Sequence, residues 1–264
     1  VAVGDRVAVN PNLHCGRCEY CQKGQHSLCV SYGILGEHTH GGLAELVKVD
    51  GSKVLKLPDH VKFEDAAAFI LVNMTAWRML VSQAKLRPGE DLLIIGVGGG
   101  VSSTGVQIGK LCGARVWVTS SSDDKLERAR ALGADECINY ATDDWVRVIG
   151  QKTGRRGVDV VLENVGAATW KGAIRTVAKG GRIVTCGATS GYDPAEDLRQ
   201  IFYRQIEIIG CTMGNNKETL DALRPIFEGR IRPVIDSVLP LSDVAAAHDR
   251  IERRAAYGKI ILKP

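Results

Sequence analysis

Four cysteines carry the strongest chemical signal in this chain: Cys15-x-x-Cys18-x-x-Cys21-x7-Cys29. Cysteines two residues apart let one tight turn present two sulfurs to the same ion, and Gly16 and Gly24 ease the turns needed. Four thiolates fill the tetrahedral coordination sphere of Zn²⁺ and leave no position open for water, so the set reads as a structural zinc site. Free thiols and an iron–sulfur cluster are the alternatives. His14 and His26 flank the loop, but a full set of four cysteines leaves them no vacancy. The other cysteines, Cys112, Cys137, Cys186 and Cys211, are scattered and read as small buried hydrophobes.

A second signal is Ile95-Gly96-Val97-Gly98-Gly99-Gly100-Val101-Ser102, which follows an apolar run and opens a helical pattern. Glycines there permit a tight turn and let backbone N–H groups approach a pyrophosphate, which the positive end of the next helix also attracts. Read strictly from Gly96, the dinucleotide fingerprint fails at Val101, and Ser102 takes the position that packs helix on strand. The second strand of such a unit ordinarily ends in an acid that holds the ribose hydroxyls of NAD. Here that place falls to Ser120, followed by Ser121, Ser122, Asp123, Asp124 and Lys125. Small hydroxyls at Ser120 and Ser121 leave room for a 2′-phosphate and Lys125 offers a positive charge, which favours NADP over NAD. Asp123 and Asp124 argue the other way unless they cap the next helix.

The elements that must position these residues are legible from periodicity. Residues 1–57 are strand and loop: Val3–Val9, the cysteine loop, Ala44–Val49 and Val54–Leu57. Residues 63–84 read as helical. From Pro88 the pattern alternates, with strands at Leu92–Ile95, Arg115–Thr119, Cys137–Asn139, Val158–Leu162, Arg182–Cys186 and Ile206–Ile209. Helices are expected at about 101–112, 123–132, 144–153 and 168–178. Strands alternating with helices imply a parallel, doubly wound α/β sheet of six strands. The expected organisation is 1–84 for a partial β domain with the cysteine lobe (about 14–30) and a connecting helix, 85–235 for the nucleotide-binding domain, and 236–264 for a return to the first domain.

Composition bounds the function classes. The chain has 264 residues, 45% hydrophobic and 24% charged, with a net charge of +4 and no basic run. Neither a nucleic-acid partner nor a membrane partner is implied. No signal peptide precedes the first strand pattern, and a cytoplasmic protein is the default. The chain opens in mid-strand without Met, which reads as an N-terminal truncation.

These residues resemble the zinc-containing alcohol dehydrogenases, the medium-chain dehydrogenases and reductases, and the resemblance covers the whole chain. It rests on Gly4-Asp5-Arg6-Val7, the cysteine spacing, Gly41-Gly42-Leu43-Ala44-Glu45, Ala66-Ala67-Ala68, Thr75-Ala76-Trp77, the Gly-rich loop and Gly258-Lys259-Ile260. Residues 66–80 are most similar to the bacterial alcohol dehydrogenase and quinone reductase branches. The resemblance implies a GroES-like catalytic domain, here partial, beside a Rossmann domain with the cofactor in the cleft. It implies a small alcohol or carbonyl substrate, and a homodimer or homotetramer built through the last Rossmann strand near 206–209. It places Val165-Gly166, Gly187-Ala188 and Met213-Gly214 near the ribose and nicotinamide. The family's first catalytic zinc ligands and proton-relay hydroxyl would precede residue 1. Its late catalytic cysteine would fall in Leu71-Val72-Asn73-Met74, which has no Cys, His or acid.

No catalytic residue is assigned from the sequence. The leading expectation is hydride transfer between a nicotinamide and an alcohol–carbonyl pair. The alternatives are a zinc-independent quinone or enone reductase and a non-catalytic nucleotide-binding fragment. Glu37-His38-Thr39-His40 invites a metal reading, but a loop whose imidazoles bond to backbone is the plainer one.

Overall fold

The computed structural model describes all residues, 1–264, and its chain forms two compact units: Val1–Met74 with Met213–Pro264, and Thr75–Thr212.

The first unit opens with β1 (Val7–Val9), β2 (Asn12–Leu13), the short helix α1 (Glu19–Gln22), β3 (Gly33–Ile34) and β4 (Val54–Lys56). β1 pairs antiparallel with β4, and β2 with β3. Arg6 fixes the turn after β4. Its guanidinium donates to the carbonyls of Asp59 (2.9 Å) and Val61 (2.6 Å) and lies 4.5 Å over the Phe63 ring. The strand expected at Ala44–Val49 does not form; the segment has no regular structure and Leu46 is 90% exposed. A strand persists only where a neighbour completes its ladder, and none of the sheets includes this stretch. The helix expected over 63–84 is α2 (Phe63–Trp77) followed by a π-helical segment at Arg78–Gln83, closed by the Ala84 N–H on the Met79 carbonyl (2.9 Å).

The second unit is built on alternation. Its elements are β5 (Asp91–Ile94), α3 (Gly100–Leu111), β6 (Arg115–Ser120), α4 (Asp123–Ala131), β7 (Glu136–Asn139) and α5 (Trp145–Lys152). They continue with β8 (Val158–Glu163), α6 (Ala167–Thr176), β9 (Val177–Thr185), α7 (Leu198–Phe202) and β10 (Glu207–Gly210). All six strands are parallel, in the order β7-β6-β5-β8-β9-β10. This is the doubly wound order in which the chain reverses direction between β5 and β8, and ligands bind beyond the carboxyl ends of the strands there. The expected α/β fold class is therefore what the chain adopts.

Both faces of the inner strands β5, β6 and β8 are covered, which is why these read as near-continuous apolar runs. Leu93, Ile95, Trp117, Ile138, Val161 and Ile183 form one buried face, with Ile149, Ala173 and Ile174 from α5 and α6 against it. On the other face α3 comes so close that a methyl group at Gly109 would sit 2.7 Å from Leu92 Cδ2 and 2.9 Å from Val116 Cγ2.

The tail returns to the first unit. It contains α8 (Asn216–Phe227), β11 (Ile235–Pro240), α9 (Val244–Glu252) and β12 (Lys259–Lys263), with β11 and β12 parallel. A capping box starts α8: the Asn215 side chain accepts the Glu218 N–H (2.8 Å) and Glu218 accepts the Asn215 N–H (2.7 Å). Asp236 joins β11 to α9 and the following turn, accepting from Arg250 (2.6 Å) and the Tyr257 N–H (3.0 Å).

Candidate functional site

Two constellations form, one in each unit. In the first unit the sulfurs of Cys15, Cys18, Cys21 and Cys29 all lie within 4.8 Å of one another. A tetrahedral Zn²⁺ with bonds of about 2.3 Å needs sulfurs roughly 3.8 Å apart, so the set fits the ion. Amides already point at the sulfurs: Cys15 and Ser31 N–H donate to Cys29 Sγ (3.3 and 3.4 Å), and Cys18 N–H to Cys15 Sγ (3.4 Å). N–H groups of Cys21 and Val30 pull the Cys18 thiol down to about 6, whereas burial pushes the Cys21 thiol up to about 12. Metal binding would hold all four as thiolates. His14 and His26 stand outside the set. Their rings stack 4.3 Å apart, and His26 Nδ1 accepts the Asn216 N–H (3.4 Å). Four thiolates with no open position are typical of structural zinc. His38 takes the plain role, accepting the Ile34 N–H through Nδ1 (3.2 Å).

In the second unit the Gly-rich segment turns at Gly96, whose φ is +74°. Two bonds tie the turn to the end of β6: Gly96 N–H to Thr119 Oγ1 (3.1 Å) and Val97 N–H to the Thr119 carbonyl (2.9 Å). Gly99 is the N-cap of α3, no side chain caps that helix end, and a methyl group at Gly99 would meet nothing within 4 Å. A methyl at Gly98 would lie 3.3 Å from Lys125 Nζ, and one at Gly96 3.3 Å from Val165 Cγ2. A glycine-floored approach to an uncapped helix start, with an ammonium at its margin, suits the paired phosphates of a dinucleotide. The first turn of α3 contains Gly100 and Val101. Ser102 is fully buried, and its Oγ accepts from Asn164 Nδ2 (3.2 Å).

Ser120 ends β6, buried, and its Oγ accepts the Ser122 N–H (3.2 Å). Ser121 follows in the turn. Ser122, rather than either aspartate, caps α4, accepting the Lys125 N–H (3.4 Å). Asp123 is occupied by Asn139, whose Nδ2 donates to it (2.8 Å).

Val165-Gly166 and Gly187-Ala188 form adjoining loops at the ends of β8 and β9. A Cβ on Gly166 would stand 2.9 Å from Ala188 Cα, and one on Gly187 3.2 Å from the Asn164 carbonyl. Ser190 joins the two loops through its N–H (2.7 Å) and Oγ (2.6 Å) on the Val165 carbonyl. Burial pushes the Cys186 thiol at the root of the second loop up to about 11, with Glu163 adding to the shift. Glu163 itself carries a single signal in the sequence, an acid closing an otherwise apolar run.

Met213 belongs to the first unit, buried in a left-handed turn with φ of +49°. Asn12 holds that turn, donating to the Gly214 carbonyl (2.8 Å). Asn73, in the stretch where the family's late cysteine would fall, is fully buried and donates to the Ala222 carbonyl.

The family described as "Zinc-binding dehydrogenase" matches residues 100–228, and "Alcohol dehydrogenase GroES-like domain" matches 1–59. An alcohol dehydrogenase of Geobacillus stearothermophilus is 33% identical over 264 residues, spanning 99% of this chain and 76% of that protein. A crotonyl-CoA reductase of Streptomyces avermitilis is 33% identical over 243 residues, 85% of this chain and 55% of that protein. The chain thus spans about three quarters of the first relative and little more than half of the second. A crystal structure of an NAD-dependent alcohol dehydrogenase superposes with a TM-score of 0.95 at 44% identity, covering 100% of this chain and 77% of that one. Such identity, sustained across nearly every residue on a fold that coincides this closely, reflects common descent: the chain belongs to the zinc-containing medium-chain alcohol dehydrogenase family.

Proposed function

We propose that this chain binds a nicotinamide dinucleotide at the Gly96–Val101 turn and takes part in hydride transfer between that coenzyme and a small alcohol–carbonyl pair. The observation that carries this reading is the uncapped, glycine-lined start of α3 at the point where strand order reverses. The bound nicotinamide would supply the hydride. The chain's own residues bind and orient: amides of Gly98 to Val101 for the phosphates, Ser120, Ser121 and Lys125 for the adenosine ribose. Val165, Gly166, Gly187 and Ala188 serve the nicotinamide half.

NADP is favoured over NAD because Ser120 stands where an acid would bind ribose hydroxyls, and the nearest acid, Asp123, is engaged by Asn139. The NAD-dependent structure cited above counts on the other side. Titration of the protein with NADPH and NADH, followed by coenzyme fluorescence, decides the matter: tighter binding of NADPH is expected, and binding of neither ends the proposal.

A second reading is reduction of a conjugated alkene. It is favoured by the crotonyl-CoA reductase relative and by Leu71-Val72-Asn73-Met74, which offers no Cys, His or acid. Turnover at 340 nm with an aldehyde panel and an enone panel separates the two.

We assign the four cysteines to a structural zinc and a second copy of the chain to the open edge at β10. That strand pairs only with β9, and Ile208, Phe202 and Tyr203 around it are exposed. No helix is long and apolar enough to cross a membrane. We place the protein in the cytoplasm, where the four clustered cysteines would stay reduced for a zinc ion.

A further inference from the structure

Glu163 is completely buried, and no cation stands against it among its hydrogen-bond partners. A carboxylate taken out of water is costly unless its oxygens are satisfied. Here one short segment satisfies them all. Oε1 accepts from Val165 N–H (3.0 Å), Gly166 N–H (3.1 Å) and Thr169 Oγ1 (2.6 Å), and Oε2 accepts from Gly166 N–H (3.1 Å). The helix that follows, α6, has a glycine as N-cap and no side-chain cap of its own. The first-turn amides of that helix go elsewhere, Ala167 N–H to the Gly191 carbonyl (3.2 Å) and Ala168 N–H to Ser190 Oγ (3.0 Å), and the carboxylate reaches forward over its own strand end to hold the two residues that lead into the helix.

The segment so held could not hold itself. Gly166 has φ of +90° and ψ of −136°, and a Cβ there would stand 2.5 Å from the Gly191 carbonyl oxygen. A glycine at such angles is the most conformationally free residue in a chain. Only external bonds select one shape for it. Glu163 supplies them on one side, and Ser190 fastens the Val165 carbonyl on the other.

Location gives the device its meaning. In a doubly wound sheet the first three strands carry the adenosine half of a dinucleotide and the next three carry the reactive half, with the phosphates at the reversal. Residues 164–166 leave the first strand of that second half, and Val165 Cγ2 would touch a Cβ on Gly96 of the phosphate turn.

We infer that Glu163 is a positioning residue that shapes the Val165-Gly166 loop as the seat of the nicotinamide-ribose half of the coenzyme. This rests on the dinucleotide reading above. The carboxylate touches no coenzyme atom; it acts through the two amides it fixes. Its replacement therefore harms the reactive half of the ligand and spares the adenosine half.

The test is E163Q in the full chain, with affinities for NADPH and NADH set beside those for 2′,5′-ADP and ADP. An amide nitrogen in place of Oε2 opposes donor to donor at Gly166 and removes the charge. The whole coenzyme is expected to bind about tenfold weaker or more, and the adenosine fragments within about twofold of wild type. T169V removes only the hydroxyl and is expected to show the same imbalance to a smaller degree, with T169S restoring the wild-type ratio. That pair decides the matter if E163Q does not fold. Equal weakening of coenzyme and fragments, or no change in either, overturns the assignment. A wild-type protein that binds neither coenzyme overturns the dinucleotide reading beneath it.

Discussion

Two glycines ten residues apart, Gly99 and Gly109, separate packing from ligand binding, and replacing each by alanine measures the two roles independently. At Gly109 the new methyl carbon would sit 2.7 Å from Leu92 Cδ2 and 2.9 Å from Val116 Cγ2. Carbon atoms settle at roughly 3.5–4.0 Å, so α3 or the sheet has to yield by about 1 Å. Leu92 and Val116 are both fully buried and have nowhere to go. Overpacking of this kind costs about 1–3 kcal/mol, and the helix preference of alanine over glycine returns about 0.8–1.0 kcal/mol. The net expectation for G109A is a loss of about 1 kcal/mol, or a melting temperature lower by about 2–8 °C for a unit of this size.

At Gly99 the methyl meets nothing, and the backbone (φ −91°, ψ 167°) is open to any residue. A slightly poorer N-cap and a stiffer unfolded chain offset one another, so the expected change in stability is close to zero. If phosphates lie over this glycine, however, the methyl occupies their approach, and coenzyme affinity falls by about tenfold or more. Thermal melts and coenzyme titrations on the two variants give the four numbers. The reasoning is refuted if G99A melts early and binds normally, or if G109A melts like wild type.

Further consequences can be measured directly. Elemental analysis is expected to find one zinc per chain; C18S is expected to lose it and to expose residues 14–30 to protease while the 75–212 unit stays resistant. S120D is expected to shift the NADP-to-NAD affinity ratio towards NAD by about tenfold, by placing a negative charge where a 2′-phosphate would lie. The carboxyl of Asp236 is pushed up by burial but lowered more by the Tyr257 amide and Arg250, so it lies below its ordinary value of 3.8. Its contribution is complete above that value and lost as the pH falls through the depressed one. The urea-midpoint gap between wild type and D236N is accordingly expected to be full at pH 6 and to narrow below about pH 4. F202E is expected to shift the protein to monomer in sedimentation if β10 is the subunit edge.

The sheet was legible because its inner strands, β5, β6 and β8, are buried along almost their whole length and helices such as α4 and α5 are bounded by their own punctuation, the Ser122 and Asp144 caps. The cysteine cluster was legible because short spacing brings sulfurs together with little help from the fold. What escaped depends on distant partners. Ala44–Val49 has the alternation of a strand but no ladder to join. No helix was expected at α8, although Asn215 and Glu218 have the spacing of the capping box that starts it. Gly105 and Gly109 look like helix blemishes until the sheet beneath them is seen. Glu163 looks like a strand's polar terminus until its oxygens are counted. The π-helical segment at Arg78–Gln83 leaves no periodic mark in six residues.

The first unit is assembled from the two ends of the sequence. Its internal bonds bridge great lengths of chain: Asn12 to Gly214, Asn10 to Thr219, Lys263 to Glu64. The second unit is one uninterrupted stretch. On a ribosome, therefore, the six-stranded parallel sheet is complete while the cysteine lobe still waits for partners that have yet to be translated. Metal can enter that lobe early, since all four sulfurs lie within fifteen residues, and would then guard the waiting thiols from oxidation until the last strand arrives.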